Sequence, residues 1–307
     1  MDLTRCDDLW FEDGNVVLQA EQKLFRVYRG LLADSSSTFS EMFKLPQPDS
    51  AEQYDDCPLI TMPDSAEELE YLLNAVFKPG YLESMLCKNT AFLIGALRLS
   101  TKYNIQSIRR RIVDELALIY PRTLQGFYHR VRHPVHEQFI GKAYIAAELA
   151  RVGEAPILLP AILYCCATYT TETILDDNGP VGLNWSEKRA CIMGRERIMV
   201  AYRKLEKQLK PQALPPTVNC ELPGGQRCEI QQGVWVPLLQ KRRKLTAHWF
   251  MPMLSHGNDL SWGPGVCFSC FDAMKTLYHN ELNAIWEKLP EYFGLPSWED
   301  LRAASDL

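Results

Sequence analysis

The sequence predicts an α+β fold: a small sheet with surrounding helices over residues 8–120, followed by a mostly α-helical region. Three observations predict it. Short runs of β-branched and aromatic residues crowd the first sixty positions. Apolar residues then recur at helical period as far as residue 210. A further helical stripe follows near the C-terminus, beyond a stretch rich in proline and glycine. The chain therefore divides into an α+β unit (8–120), a helical region (121–210), a Pro/Gly-rich loop region (211–265) and a helical tail (266–307).

The strands come first. Val16-Val17-Leu18 is a short apolar run, and Lys23 to Tyr28 carries Phe25 and Val27 on one face. Ala20-Glu21 between them is placed to turn a hairpin. Pro58 to Met62 is a third strand. Few residues precede Val16, so no long N-terminal arm is expected there.

The helices follow, each with a start signal. Ser35-Ser36-Ser37 offers caps ahead of Phe39, Met42 and Phe43. Ser65 and Glu68 have capping-box spacing, in which each side chain satisfies the other residue's backbone N–H. Leu69, Leu72, Leu73, Val76 and Phe77 behind them form one apolar stripe, stopped by Pro79-Gly80. Asn89 to Tyr103 is apolar on most faces and reads as a central helix. Ile108, Ile112, Leu116 and Ile119 line the next, with Arg110/Asp114 and Arg111/Glu115 four apart on its wet side. Phe139 to Ala150 is another helix. Pro156 suits a first helical turn, because its missing N–H would be unpaired there. Trp185 to Leu209 buries Ile198, Tyr202, Leu205 and Leu209. Its Arg195, Arg197, Arg203, Lys204 and Lys207 read as a solvated face. In the tail, Phe271, Met274, Tyr278, Leu282, Ile285 and Leu289 trace a stripe that Pro290 ends, and Trp298 and Leu301 pack back.

Composition narrows the function. Of 307 residues, 47% are hydrophobic and 23% charged, which excludes a largely disordered chain. The net charge is −5, so there is no basic excess to neutralise phosphates and nucleic acid is not an expected partner. Met1 to Asp8 is acidic and lacks the apolar core of a signal peptide, so a cytoplasmic or nuclear protein is expected, neither secreted nor membrane-spanning. The longest uncharged stretch, Ala155 to Thr171, holds two prolines and suits a buried helix better than a membrane span.

Catalytic signatures are missing. No phosphate-binding glycine loop, nucleophile elbow or H-E-x-x-H motif occurs; His136-Glu137 starts the last, but Ile140 stands in its fifth position. His129, His133 and His136 have helical spacing, but Pro134 interrupts them and a wet loop is expected. Lys241-Arg242-Arg243-Lys244 is the one basic cluster, read as a solvated helix face ahead of a nuclear-import signal. The chain is not expected to be an enzyme.

Four cysteines stand apart from the six others, which read as small hydrophobes. Cys267-Phe-Ser-Cys270 is a C-x-x-C ahead of a helix, and two thiolates at that spacing hold one side of a tetrahedral zinc. Cys220 and Cys228 lie eight apart in the Pro/Gly-rich region. Structural zinc would supply the folding free energy that this poorly patterned stretch lacks. His248 and His256 are substitute ligands. The alternatives are four separate reduced cysteines, or a redox dithiol, which lacks a thioredoxin-like strand pattern.

Several of these segments resemble a known family. They are Asp13-Gly14-Asn15-Val16-Val17-Leu18, Phe25-Arg26-Val27-Tyr28-Arg29-Gly30-Leu31-Leu32-Ala33, then Ser36, Phe39, Met42 and Phe43, and later Leu59-Ile60-Thr61-Met62-Pro63-Asp64. Together they resemble a BTB/POZ domain over residues 8 to 120. The family's usual histidine is replaced by Tyr28, which keeps a polar tip and adds bulk. The remainder is similar to the C-terminal region of fungal proteins, mainly from mushroom-forming species. That similarity rests on Leu158-Leu159-Pro160-Ala161, Tyr164-Cys165-Cys166, Cys191, Gly194-Arg195-Glu196, and the run from Trp286 to Trp298.

The resemblance implies a protein-interaction module that dimerises, with Leu9, Trp10, Phe11, Leu31 and Leu32 at the partner interface. It also implies recruitment of a cullin scaffold, which would make the chain a substrate adaptor of a ubiquitin ligase. The alternative function is a nuclear transcriptional regulator with a zinc-stapled tail.

Overall fold

The structure, a computed structural model, describes residues 3–45, 52–130, 139, 142–176, 182–208, 217–220, 228 and 267–305. An N-terminal five-stranded mixed sheet with helices is followed by a mostly helical remainder.

The expected hairpin is β2 (Val16–Ala20) paired antiparallel with β3 (Lys23–Val27). Its register sets Ala20 opposite Lys23, so the turn is Glu21-Gln22, one residue later than the sequence suggested. Glu21 takes a left-handed φ of 51°. Its carboxylate accepts the Ala66 N–H at 3.2 Å, filling an orphan donor at the start of a helix.

Two strands were not expected. β1 (Thr4–Trp10) lies parallel to β3, so the residues ahead of Val16 are themselves an edge strand. Its register jumps between Arg5 and Trp10, and only Cys6 and Leu9 within that bulge are buried. That spacing of three hides the period of two by which a strand is recognised. The second, β4 (Gln53–Tyr54), is only two residues long and pairs with β5 (Cys57–Met62), which runs parallel to β2. The order across the sheet is β1-β3-β2-β5-β4.

Side-chain alternation divides the sheet's contacts. Val16, Leu18, Ala20, Phe25 and Val27 enter the main core. Val17, Leu24 and Cys57 form a second small cluster under Trp10, Tyr54 and Leu59. The Arg5 guanidinium stands 4.5 Å from the Trp10 ring centre and 5.5 Å from that of Tyr54.

Among the described residues, six helices complete this half: α1 (Arg29–Ser35), α2 (Ser37–Lys44), α3 (Ala66–Phe77), α4 (Tyr81–Leu86), α5 (Thr90–Lys102) and α6 (Gln106–Ile119). Ser36 caps α2 by accepting the Phe39 N–H at 3.0 Å, and its hydroxyl donates to the Tyr103 carbonyl. Ser36→Ala removes both bonds at a buried position, so urea unfolding should show a loss of about 2 kcal/mol. The Ser65–Glu68 box is half-made. Ser65 Oγ accepts the Glu68 N–H, but the Glu68 carboxylate pairs with Arg98. On α6, Arg111 bonds Glu115 as expected and also reaches Glu83.

The chain then leaves through Pro121 into α7 (Leu124–His129) and α8 (Ala143–Val152). Pro156 opens a single 3-10 turn, Pro156–Leu158, that runs into α9 (Leu159–Cys166). A short α10 (Thr171–Leu175) leads to the long α11 (Trp185–Gln208). The reciprocal capping box stands here: Asn184 and Glu187 exchange two 2.9 Å bonds between side chain and backbone. The tail is α12 (Phe268–Glu287), α13 (Leu289–Phe293) and α14 (Trp298–Ala303). Pro290 therefore restarts the tail as a first-turn residue of α13.

One apolar core runs from Cys6 through Tyr120, Leu124 and Phe127 to Trp298. The tail is built into it. At the crossing of α11 and α13, a Cβ on Gly194 would lie 2.3 Å from the Phe293 ring. Gly194→Ala must push the helices apart, and a loss of about 1–3 kcal/mol in urea unfolding is expected. Among the described residues, no helix is long and apolar enough to cross a membrane.

Candidate metal centre

Cys220, Cys228, Cys267 and Cys270 converge. All four are buried, and their sulfur atoms lie within 4.8 Å of one another. Cys267 is the N-cap of α12 and Cys270 is in its first turn, so helix geometry fixes that pair on one side. Cys220 and Cys228 complete the group. Phe271, one residue beyond Cys270, packs against the group.

Each sulfur receives one backbone N–H. Cys228 N–H donates to Cys220 Sγ at 3.0 Å, and Cys267 N–H to Cys228 Sγ at 2.9 Å. Cys270 N–H donates to Cys267 Sγ at 3.4 Å, and Thr217 N–H to Cys270 Sγ at 3.4 Å. The four donors stabilise negative charge on sulfur, as a thiolate cluster requires. Thr217 was not anticipated from the sequence. Its hydroxyl also lies 3.4 Å from Cys270 Sγ and 3.0 Å from Ser269 Oγ.

Without a cation the site favours thiols. Burial pushes the Cys228 thiol up to about 12. The Cys228 N–H draws Cys220 down, but burial and the hydrogen bonds of Cys270 and Cys267 outweigh it and the net shift is upward. All four are free cysteines. A tetrahedral ion with metal–sulfur bonds of about 2.3 Å needs sulfurs about 3.8 Å apart, so the cluster need only contract slightly around one.

The remaining cysteines divide by burial. Cys166 and Cys191 are fully buried between α9 and α11, where burial holds the Cys166 thiol well above its ordinary range. Cys87 is exposed.

The five residues expected at a partner interface are not all on the surface. Leu9 and Leu32 are fully buried in this chain's own core. Leu9 is drawn inward by the β1 bulge, and Leu32 is the inward side of α1. Trp10 lies half-buried beneath Arg5, and Phe11 is half-buried between Tyr28 and Phe77. Leu31 is 54% exposed. Tyr28 donates from its hydroxyl to Asp13 Oδ1 at 2.6 Å.

The basic side of α11 is only partly solvated. Arg195 donates to the Tyr169 carbonyl, and Arg197 to the carbonyls of Glu291 and Tyr292. Arg203, Lys204 and Lys207 are exposed. His129 is exposed at the end of α7, whereas His133, His136, His248, His256, Leu209 and the Lys241–Lys244 cluster lie outside the described residues.

No protein-family model, curated protein or solved structure matches the chain.

Proposed function

We propose that this protein is a non-catalytic interaction protein whose helical tail is stapled by structural zinc bound to Cys220, Cys228, Cys267 and Cys270. The observation that carries the zinc reading is the convergence of four buried sulfurs, each already holding a backbone N–H. Four thiolates close the coordination sphere and leave no position for a substrate, which is the arrangement of structural zinc. An all-sulfur tetrahedral set also selects zinc or iron over harder cations.

The N-terminal half is read as a BTB/POZ-type module. Supporting that are the β2–β3 hairpin running into α1, the Ser36-capped α2, and β5 followed by the capped α3, in the order the resemblance implies. The partners are then proteins, first of all a second copy of the chain. A cullin scaffold is the further partner implied by the resemblance, with the helical half holding cargo.

Native mass spectrometry of the full-length protein tests both parts, at several concentrations and before and after denaturation. A dimer with one zinc per chain, lost on unfolding, is expected. A zinc-bearing monomer would overturn homodimerisation, and a metal-free monomer would overturn the zinc site as well.

A further inference from the structure

Three points mark the tail from its first end to its last, beside the contacts that α13 makes with α11. Its first end is the four-cysteine cluster, which forms an apolar group of its own, apart from the main core. Its middle is Trp286 near the end of α12. The indole N–H donates to the Arg122 carbonyl at 2.5 Å, and the ring lies 4.7 Å from Phe127 and 5.7 Å from Tyr164. Its last end is Ser305, whose carbonyl accepts from Arg109 at 3.4 Å and whose hydroxyl accepts the Ile157 N–H at 3.1 Å.

Arg122 and Phe127 bracket the passage from α6 to α7, where the chain leaves the sheet-bearing half. Arg109 belongs to α6 and Ile157 to the helical half. The tail therefore crosses the junction between the halves and is fastened on both sides.

Helix α12 joins the cluster to that junction without interruption over 20 residues. Among the described side chains of its first half, Phe268, Asp272, Ala273 and Thr276 are exposed and Phe271 packs on the cysteine cluster. Helix formation is cooperative, so a first turn left unanchored frays toward the interior until packing stops it. Packing on the main core begins at Leu277 and continues through Tyr278, Leu282, Ile285 and Trp286, of which Trp286 reaches the junction.

We infer that zinc at the four cysteines regulates how firmly the tail straps the two halves together. This rests on the zinc reading. Bound metal fixes the start of the helix that carries Trp286, and its removal lowers the stability of that helix and with it of the Arg122–Phe127 passage. By thermodynamic linkage the effect is reciprocal: loosening Trp286 must weaken zinc.

Hydrogen exchange on the full chain, with metal content followed by native mass spectrometry, tests this. After chelation, amides of 278–287 and 122–129 should exchange at least about tenfold faster, while β2 stays unchanged. Trp286→Phe keeps an aromatic ring and removes the bond to Arg122. In chelator competition its zinc affinity should fall about fivefold or more, within the range of such couplings. Zinc that binds and is removed with faster exchange only at 217–220 and 267–273, or an unchanged affinity in the Trp286 variant, would overturn the coupling and leave the zinc site standing. A chain that binds no zinc would overturn both.

Discussion

A Cys270→Ser chain should lose zinc affinity by at least about 100-fold, since even groups that merely orient metal ligands account for roughly 10–100-fold. Cys270 is the most buried of the four, at 2% exposure, and Thr217 addresses its sulfur with both a backbone N–H and a hydroxyl. Serine preserves the shape but presents a neutral hydroxyl where the metal needs a soft anion. Structural zinc is worth roughly 10–16 kcal/mol in small zinc-finger peptides, so even a fraction of that exceeds most single-residue effects. The check is competition against a chromophoric chelator. Cys87→Ser, at the exposed cysteine, should retain zinc like the parent. If the two variants hold zinc equally, the four-sulfur site is wrong.

Arg109→Leu should lower stability by about 2–4 kcal/mol, because buried backbone acceptors left without their donor cost roughly 1–3 kcal/mol each. The Arg109 side chain is 4% exposed and binds three backbone carbonyls. Nε donates to Gly153 at 2.9 Å, and one terminal nitrogen donates to Glu154 at 3.1 Å and to Ser305 at 3.4 Å. Gly153 ends α8, and Ser305 follows α14. The cation therefore sits between two helix C-termini, where the backbone dipoles favour positive charge. Leucine leaves those carbonyls buried without their donor. Arg109→Lys keeps the charge but not the planar fork, and should recover only part of the loss. Urea midpoints of the three chains decide it; a leucine variant within about 1 kcal/mol of the parent would refute this account.

Arg109 also shows what the sequence did not reveal. It stands in an Arg109-Arg110-Arg111 run, and composition alone assigns all three to solvent. Arg110 is exposed and Arg111 pairs with Glu115, but Arg109 lies on the apolar side beside Ile108 and Ile112. The carbonyls that hold it come from residues 44 to 196 positions away, and no local pattern encodes such partners.

Elements whose cause is local were legible. The β2–β3 hairpin, the Ser36 and Ser65 caps and the α11 stripe all depend on neighbours within a few residues. β1 was hidden because its bulge breaks the alternation of buried residues. At the candidate metal centre the four cysteines were legible because sulfur is a distinctive donor. The role of Thr217 was not, because it acts through its backbone N–H, which every residue except proline possesses.

The close crossing at Gly194 has a consequence for how the chain is made. Its groove on α11 is complete once Gln208 has been synthesised, but Phe293 and Trp286 arrive later. At about 5–20 residues per second, several seconds pass before Trp286 leaves the ribosome. During that interval the groove and the faces of Phe127 and Tyr164 await their partner as open apolar surface. The helical half therefore closes late in synthesis, and a chain cut short before Trp286 would carry that surface permanently, as a substrate for chaperones and proteases.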